Sequence, residues 1–521
     1  MAGQPDGDDS RYILIHLDGV SSWHLTQEME AGNLPHLKKL FYPDGWIPGG
    51  ITYLPSKTPV VIANMKHSTA VEDGGPVSWA GQNRETGDAF SPFDTIQAMI
   101  SGMSRLARTN LIYGLPLLDR LNRVALGNLP DYLNQYQVLE YYWYPIDTFG
   151  HFYGEASYRD KIREFDRAIG RLANRIGPEV NLVIYSDHGI AFGEGVESDR
   201  LLKEQFVQVW SASYPNVYLD RGADKQEVSI RIVEETPVDF VFYQSGIEEV
   251  TGVHRDGFLR FRFDPGTGRY SYQTEGEDPL GYHRAGYRGE PLTAGEWLEQ
   301  TWDLDYPMAP VKVFHLLQNP GSGDLLTFFE HGKYSQTWYS SRGNHGGFTR
   351  LELNVPILVR GPDLTHLYGR TTIEIEQLMQ EIAAPEPSPT RDHHYLEMQH
   401  ELDRESFHLE FSFSPLYRWA VGAELTARED GLNNPYRVWL QADLFRSYLT
   451  RVWIGGGVNG RVSGEARAEL FLKHELHIRR ISAKTLLSST GNHRFTIEAR
   501  ITDAVALRLT NFRRAGLRFY F

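Results

Sequence analysis

The chain has 521 residues, of which 41% are hydrophobic and 23% charged, with a formal net charge of −15. This length exceeds one ordinary hydrophobic core, so two or three domains are expected. The acidic balance argues against non-specific nucleic-acid binding, which needs a basic surface. The absence of cysteine excludes disulfides, thiolate nucleophiles and Cys-ligated zinc. No apolar run approaches the roughly 18–20 residues of a transmembrane helix.

The first ten residues, "MAGQPDGDDS", are polar and acidic and lack the apolar core of a secretory signal. Composition leaves two locations open: the cytoplasm, or an exported protein whose signal has been removed. We expect the exported location, in the periplasm or associated with an outer membrane, with no signal peptide in this chain.

Buried strands are predicted at "RYILIHLD" (11–18), "QVLEYYWYPID" (137–147) and "NLVIYSD" (181–187). Between the last two, apolar residues recur every three or four positions: Ile162, Phe165, Ile169, Leu172 and Ile176. This spacing predicts one apolar face of a helix. Strand, helix and strand in this order predict an α/β fold, a mostly parallel sheet with helices on both faces.

Residues 195–335 are less regular and rich in Gly and Tyr, which predicts an insertion or cap. A strand pattern returns at 350–362 and a helical pattern at 371–382. Three prolines in the polar stretch 383–394 then indicate a linker. We therefore expect a catalytic domain over 1–385 and a second domain over 393–521.

The C-terminal part alternates apolar and polar residues. Ala466, Ala468 and Leu470, for example, alternate with Glu465, Arg467 and Glu469. Period-two patterning between turns predicts an all-β antiparallel domain of about eight strands. The final "GLRFYF" and strands of up to about ten residues fit an outer-membrane barrel. A soluble β-sandwich fits too, since several alternating faces carry Ala, and both remain open.

Acidic residues follow the three predicted strands of the first domain: Asp18, Asp147 and Asp187. The carboxyl ends of strands in an open parallel sheet line one crevice, so these carboxylates are expected to converge there. Like charges in close quarters are costly, because each raises the pKa of its neighbours. A bound cation removes that cost.

Histidines accompany these acids. "DTFGH" contains His151, "SDHG" contains His188, and "GNHGG" places His345 in a Gly-rich loop. Carboxylate and imidazole together suit zinc, manganese or iron better than calcium or magnesium. Six such ligands suffice for two ions, the arrangement used in phosphoryl transfer.

The loop "TYLPSKTP" offers two hydroxyl nucleophiles, Ser56 and Thr58, at the start of an apolar helix. An alcohol is a weak nucleophile at neutral pH unless metal coordination or a base activates it. Helix capping is the structural alternative. A helix N-terminus beside metal ions also suits phosphate binding, so the two roles are compatible.

These motifs occur in the order "HLDGV", "LPSKTP", "DTFGHFYG", "YSDHG" and "GNHGG". In this order the chain resembles the alkaline phosphatase superfamily, and most closely its nucleotide pyrophosphatase/phosphodiesterase branch. The resemblance covers roughly residues 10–200 and 335–385.

The resemblance implies two zinc ions, with manganese as the alternative metal. One would be held by Asp18, Thr58, Asp187 and His188, and the other by Asp147, His151 and His345. Thr58 would be the catalytic nucleophile and form a phospho-threonine intermediate, with Ser56 ranked second. The asparagine that the branch uses has no clean match. Asn83 and Asn64 are the substrate-contact candidates.

The resemblance predicts a metal-dependent phosphoric-ester hydrolase, with a phosphodiesterase favoured over a phosphomonoesterase. Its substrate would be a phosphate ester, either a small molecule or lipid-linked. Two alternatives stay open: a non-catalytic binding relative, and a membrane-anchored β-barrel that carries a phosphohydrolase, with membrane association through the C-terminal domain. The sulfatase motif "C/S-x-P-x-R" is absent, which argues against a sulfatase.

Overall fold

The computed structural model describes residues 10–520 except 68–69, 112–114, 134, 337–340, 383, 385–394, 402–405, 417–418, 429–433, 463 and 503. The predicted linker therefore lies outside the described residues, apart from Ala384. Among the described residues, no helix is long and apolar enough to cross a membrane.

The elements of the first part of the chain alternate between strand and helix. Its strands are β1 (Arg11–Leu17), β2 (Trp46–Ile51), β3 (Gly81–Gln82), β4 (Ala89–Phe90), β5 (Val138–Trp143), β6 (Val180–Ser186) and β7 (Glu194–Val196). Its helices are α1 (Ser22–Glu30), α2 (Pro35–Phe41), α3 (Thr58–His67), α4 (Pro92–Gly102), α5 (Arg105–Thr109), α6 (Asp119–Tyr132), α7 (Pro145–Tyr153) and α8 (Glu155–Ala173).

The middle of the chain adds further strands and helices. They are α9 (Ser198–Gln205), β8 (Val209–Ser213), β9 (Asn216–Leu219), α10 (Lys225–Glu235), β10 (Phe240–Gly246), β11 (Glu249–His254), β12 (Gly257–Asp264), β13 (Arg269–Gly276), α11 (Ala294–Thr301), α12 (Ala309–Gln318), β14 (Leu325–Phe328), β15 (Lys333–Ser335), α13 (Arg350–Leu353), β16 (Asn354–Arg360), β17 (Thr372–Glu374) and α14 (Ile375–Ile382).

A six-stranded sheet in the order β17-β2-β16-β6-β1-β5 forms the centre of the first unit. Strand β1 runs parallel to β5 and β6, and β17 runs parallel to β2. Strand β16 is antiparallel to both of its neighbours, so the sheet is mixed. Along β1, Leu14 packs into the core on one face, while Ile13 and Ile15 pack into the core on the other. The predicted α/β fold with helices on both faces is confirmed.

The segment expected to be an irregular insertion contains a seven-stranded antiparallel sheet, in the order β13-β12-β11-β10-β14-β9-β8. The period-two signal was present in "GFLRFRFD", where Leu259 and Phe261 are buried while Arg260 and Arg262 are more accessible. The many Gly and Tyr residues of this segment made the alternation difficult to recognise in the sequence. The segment is therefore a regular β unit beside the central sheet.

The C-terminal part is a closed antiparallel barrel in which the last strand pairs with the first. Its strands are β18 (Tyr395–Glu401), β19 (Ser406–Leu416), β20 (Trp419–Arg428), β21 (Pro435–Arg446), β22 (Thr450–Arg461), β23 (Arg467–Ile478), β24 (Ile481–Ser488), β25 (Arg494–Arg500), β26 (Val505–Thr510) and β27 (Arg514–Tyr520). The expected number of about eight was too low. Connections as short as residues 479–480 give almost no turn signal, so adjacent strands merge in the sequence pattern.

The two units meet at α6. Asn128 donates from Nδ2 to the backbone oxygens of Tyr448 (2.8 Å) and His477 (3.0 Å) and accepts from the backbone N–H of Arg479 (2.7 Å). Both Asn128 and Tyr448 are fully buried. Side chain–backbone hydrogen bonds thus join the barrel turns to the first unit.

We propose that the two units are separate domains joined by the linker at 383–394. Limited proteolysis should cut there, and the two fragments should still co-purify because the contacts of Asn128 are buried. Asn128→Ala should weaken this association, since it leaves two carbonyl groups and one N–H group without their partner. Asn83→Ala, in an exposed turn, is the control. A first cut within 137–190 would contradict the proposed boundary.

Candidate active site

The acids that follow β1 and β6 lie beside each other because these strands are neighbours in the sheet. The backbone N–H of Gly19, one residue after Asp18, donates to Oδ1 of Asp187 at 3.2 Å. His16 on β1 places Nε2 3.4 Å from Oδ2 of Asp187. Strand pairing therefore fixes the two carboxylates in one crevice at the carboxyl end of the sheet.

The sequence pattern predicted that Asp147 ends a strand, but the structure places it in a helix. Strand β5 ends at Trp143, and Pro145 begins helix α7. Proline is favoured in the first turn of a helix, where its missing N–H costs nothing. Asp147 and His151 therefore lie one helical turn apart on the same face, with Nε2 of His151 3.2 Å from Oδ2 of Asp147. The Asp and His of "DTFGH" converge because they are helical.

Thr58 is the first residue of α3. Its Oγ1 lies 2.9 Å from Nε2 of His188 and donates to Oδ1 of Asp18 at 3.3 Å. The hydroxyl group thus stands among the predicted metal ligands, at the end of the helix where backbone N–H groups favour an anion.

Each of the three predicted histidine ligands places Nδ1 within hydrogen-bond distance of a backbone carbonyl. The pairs are His151 with Gly343 (2.7 Å), His188 with Gly189 (2.8 Å) and His345 with Ser56 (2.7 Å). An Nδ1–H that donates to a carbonyl leaves the Nε2 lone pair for a metal, the arrangement common around ligating imidazoles. All three Nε2 atoms lie within 4 Å of a carboxylate of the cluster.

The candidate ligands form two overlapping groups, and within each group the ligand atoms all lie within 4.8 Å of one another. One group contains Asp147, His151 and His345, and the other contains Asp18, Asp147 and His188. Asp147 is shared, and its Oδ1 lies 3.7 Å from Nε2 of His345. The structure therefore brings the predicted ligands of both sites together, with Asp147 between the two groups.

The electrostatics of the cluster fit cations. Burial, together with the nearby charges of Asp187 and Asp147, raises the pKa of Asp18 well above its usual value. Burial and the neighbouring His188 and His151 lower the pKa of His345. Oδ1 of Asp147 and Oδ2 of Asp187 are buried and accept no hydrogen bond; the nearest groups are imidazole Nε2 atoms at 3.3–3.7 Å. Buried carboxylate oxygens without hydrogen bonds are costly unless they coordinate a metal, so the donor set suits divalent ions.

Gly19 allows the carboxylates to approach each other. Its φ is +74°, and a Cβ at this position would lie 2.7 Å from Cβ and Oδ1 of Asp147. A side chain here would meet both backbone strain and a steric clash. This explains why the first motif, "HLDGV", has a glycine directly after Asp18.

A cleft of about 1060 Å³ opens beside the cluster. Thr58, Asp147, His151 and His345 contribute to its wall, together with Lys57 and other residues that sequence reasoning did not single out. The Lys57 ammonium group donates to the backbone oxygen of Tyr214, and burial lowers its pKa to about 8. The signal for Lys57 was its place in "PSKTP", directly before the candidate nucleophile.

The secondary candidates lie elsewhere. Ser56 is buried, donates to the oxygen of Gly347 (2.9 Å) and accepts from the N–H of Gly346 (3.0 Å), so it supports the loop that carries His345. Asn83 accepts two N–H bonds within an exposed turn, and Asn64 donates to the oxygen of Pro76 (3.3 Å). Neither asparagine lines the cleft. Their positions give no support to the predicted substrate contacts.

A mixed α/β sheet with carboxylates and imidazoles at its carboxyl edge is an architecture suited to a metal-dependent hydrolase. The comparison with family models is more specific. Residues 81–238 match the model of the type I phosphodiesterase / nucleotide pyrophosphatase family. The predicted resemblance is thereby confirmed, and the family is one of phosphoester hydrolases. The matched segment includes Asp147, His151, Asp187 and His188. A search of curated protein sequences gives no match.

Similar solved structures include the murine ectonucleotide pyrophosphatase / phosphodiesterase 5, as an inactive variant in complex with AMP. It is 13% identical, with a TM-score of 0.45, over 73% of this chain and 97% of that chain. The human protein of the same name is 13% identical over 72% and 96%, with a TM-score of 0.45. Phosphonoacetate hydrolase from Sinorhizobium meliloti 1021, in complex with phosphonoacetate, is 14% identical over 72% and 96%, with a TM-score of 0.42.

Gly19→Ala tests the close approach in the cluster. We expect a loss of about 2 kcal/mol or more in the free energy of unfolding, because the new Cβ adds a clash with Asp147 to the cost of a left-handed backbone. Bound metal should fall as Asp147 is displaced. Unfolding curves and elemental analysis measure the two effects.

Gly32→Ala is the matched control, since Gly32 has a φ of +76° and a Cβ added there would have no neighbouring atom within 4 Å. It should cost about 1–2 kcal/mol for the backbone alone and leave the metal content unchanged. Equal effects of the two substitutions would refute the role given to Gly19.

Proposed function

We propose that this protein is a zinc-dependent phosphodiesterase with Thr58 as its nucleophile. One observation carries the proposal: the Thr58 hydroxyl lies 2.9 Å from Nε2 of His188 at the start of a helix, inside a cluster of buried carboxylates with oxygens that accept no hydrogen bond. A threonine that served as a helix cap alone would not need these neighbours.

Two divalent ions would be held by the residues of the cluster. Asp18, Thr58, Asp187 and His188 would hold one, and Asp147, His151 and His345 the other. Zinc suits this mixture of imidazole and carboxylate, and manganese is the alternative. When bound, the ions supply Lewis-acid stabilisation of phosphate oxygens and lower the pKa of a coordinated hydroxyl.

The residues of the chain then perform an in-line transfer. Oγ1 of Thr58 attacks phosphorus and gives up its proton to solvent. The bond from phosphorus to the leaving oxygen breaks, and that oxygen keeps the electron pair and takes up one proton from solvent, equal to the one that Thr58 released. The N-terminal turn of α3 favours the negative phosphoryl group. Water then attacks phosphorus of the phospho-threonine, and the bond from phosphorus to Oγ1 breaks. Oγ1 takes up one proton of the attacking water, and a phosphomonoester that carries the water oxygen leaves.

The cleft is large enough for a diester. Its volume of about 1060 Å³ lies slightly above the roughly 300–1,000 Å³ of ligand pockets, so there is room for groups on both sides of a phosphate. The preference for a diester comes from the family match over residues 81–238. A phosphomonoesterase of the same superfamily is the second candidate, because the cluster alone does not distinguish the two. A non-catalytic binding relative is disfavoured, since all seven predicted ligand residues lie together.

Thr58→Ala should lower the turnover of bis-p-nitrophenyl phosphate by about 1000-fold or more, because the attacking atom is removed. Thr58→Ser is the matched control and should keep a measurable fraction of the rate. Acid quenching of the wild-type reaction should give a phosphorylated peptide within residues 52–66.

The same assays distinguish the alternatives. Faster turnover of the monoester p-nitrophenyl phosphate than of the diester would favour the second candidate. Wild-type rates in Thr58→Ala would end the proposed mechanism. A larger loss in Ser56→Ala, with metal content intact, would move the nucleophile to Ser56.

Elemental analysis of the purified protein should give about two zinc equivalents. His345→Ala should lower this to about one, because one site loses an imidazole while the other keeps its ligands. His366→Ala, at an exposed position away from the cluster, is the control and should leave the content unchanged. Less than one equivalent in the wild type, with no gain in activity on adding zinc or manganese, would contradict the two-metal assignment.

A further inference from the structure

In the barrel, charged residues point inward and most outward residues are apolar, although Ala420, Trp439, Phe471 and Leu486 form an inward apolar cluster and His474 and Thr485 point outward. Along β23, Leu470, Leu472 and Leu476 are 71%, 42% and 39% exposed, whereas Glu469 beside the first of them is 2% exposed. A β-barrel that folds in water buries apolar side chains in its interior. The polarity here is reversed.

Ion pairs fill the interior. Arg437 lies 2.5 Å from Glu469, Arg518 lies 2.7 Å from Glu397, and Lys484 lies 3.0 Å from Glu498, all between side chains that are nearly inaccessible. The cavities lined by these charged groups measure about 120 and 40 Å³. The interior is therefore packed with paired charges that need little water around them.

The outer surface carries apolar residues all the way around. Strand register places apolar residues opposite each other on this face, and the pairs include Leu409 with Leu425, Val438 with Val458, Leu472 with Leu487, Ile497 with Leu509 and Leu507 with Leu517. At the outward positions of the described strands there is no Asp, Glu, Lys or Arg. Monomeric proteins in water rarely expose contiguous apolar patches beyond a few hundred Å².

The backbone is also suited to an apolar solvent. The barrel is closed by pairing of β18 with β27, so it has no free strand edge, and a closed barrel is one of the two structures that satisfy every backbone group within lipid. Strands β19–β23 have 10–12 residues, about the number needed to cross when tilted. Strands β24–β27 and β18 are shorter, with 6–8 residues.

We propose that the barrel is embedded in a lipid bilayer, with its outward side chains in the hydrocarbon. The apolar outward residues encircle the barrel, which identifies lipid as the surrounding medium. A protein partner or a second copy would cover only one side, and the uncovered side would then carry charged residues. The inference goes beyond the proposed function, since it rests on the barrel alone.

The structure also places the first unit relative to the bilayer. Asn128 contacts the turns at Tyr448 and His477, which lie at one end of the barrel. The connections at that end have two to four residues (417–418, 447–449, 479–480 and 501–504), and those at the opposite end have three to six (402–405, 429–434, 462–466, 489–493 and 511–513). In bacterial outer-membrane barrels the short turns face the periplasm. The catalytic unit would then lie in the water on the short-turn side.

Single cysteines test the inference directly, because the chain contains none. The protein, reconstituted in phosphatidylcholine vesicles, is spin-labelled at Leu472→Cys in a long strand and at Leu507→Cys in a short strand. The matched controls are Ser482→Cys, which points inward, and Val462→Cys, which lies in a connection. Collision with oxygen, which dissolves in lipid, is compared with collision with a water-soluble nickel complex.

Labels at 472 and 507 should collide mainly with oxygen, the label at 462 mainly with nickel, and the label at 482 with neither. Nickel access at 472 and 507 equal to that at 462 would show a barrel surface in water and overturn the proposal. Protection of 472 and 507 from both reagents would show a protein partner instead, which also overturns it.

Leu472→Arg gives a second readout. A charge in the hydrocarbon should shift the folding equilibrium in vesicles by about 30- to 1000-fold against insertion, measured by flotation with phosphatidylcholine vesicles. Val462→Arg is the control and should float like the wild type. Equal flotation of the two variants would contradict a lipid-facing Leu472. Failure of either test leaves the assignment of Thr58 untouched, because that assignment is measured by turnover.

Discussion

The crowding of three buried carboxylates is the constraint on which the first unit depends. Asp18 and Asp187 are brought together by the pairing of β1 with β6, and Asp147 approaches them where Gly19 has no side chain. Burial and mutual repulsion raise the pKa of Asp18. The imidazoles of His188 and His16 lower the pKa of Asp187 and so offset part of this repulsion. Divalent ions held at the proposed sites would offset the rest, so metal binding is expected to stabilise the cleft.

Much of this site could be predicted from the sequence, because each candidate ligand belongs to a short recognisable motif. An acid directly after a buried strand, or a histidine in a Gly-rich loop, is predicted to lie at the edge of the sheet where the strands end. What the pattern could not show was the helical state of Asp147. Four aromatic residues directly precede Pro145, so the pattern predicts a continuing strand, whereas the proline begins α7. The three carboxylates lie close together as predicted, although Asp147 is in a helix and not at a strand end. The reason is that the end of β5 and the start of α7 lie at the same edge of the sheet.

The groups that support the ligands were harder to find. The carbonyls of Gly343, Gly189 and Ser56 that orient the three imidazoles belong to no motif, since any residue supplies a carbonyl. A hydroxyl in a loop can serve as a nucleophile or as a support, so the sequence alone did not separate Ser56 from Thr58. The partners of Ser56, Gly346 and Gly347, are about 290 residues away in the chain, and contacts at such separation leave no local signal.

The barrel shows a related limit. Alanine in place of leucine or phenylalanine on the alternating faces left a soluble sandwich open beside an outer-membrane barrel. In the structure, Ala423 lies opposite Phe411 and Ala442 lies opposite Trp419. At these two pairs a small side chain lies opposite a large aromatic one, so alanine leaves room for the ring on the outer surface. Alternation along a strand shows that one face is apolar and the other polar. It does not show which of the two faces the interior of the barrel.

The contact between the units has a consequence for the site as well. Strand β5 lies at the edge of the central sheet, and an edge strand is paired on one side only. The Tyr448 hydroxyl from the barrel donates to the backbone oxygen of Glu140 in β5 at 2.6 Å. Strand β5 leads directly into α7, which carries Asp147 and His151. This hydrogen bond from the barrel therefore restrains an edge strand whose displacement would move Asp147 away from the other two carboxylates.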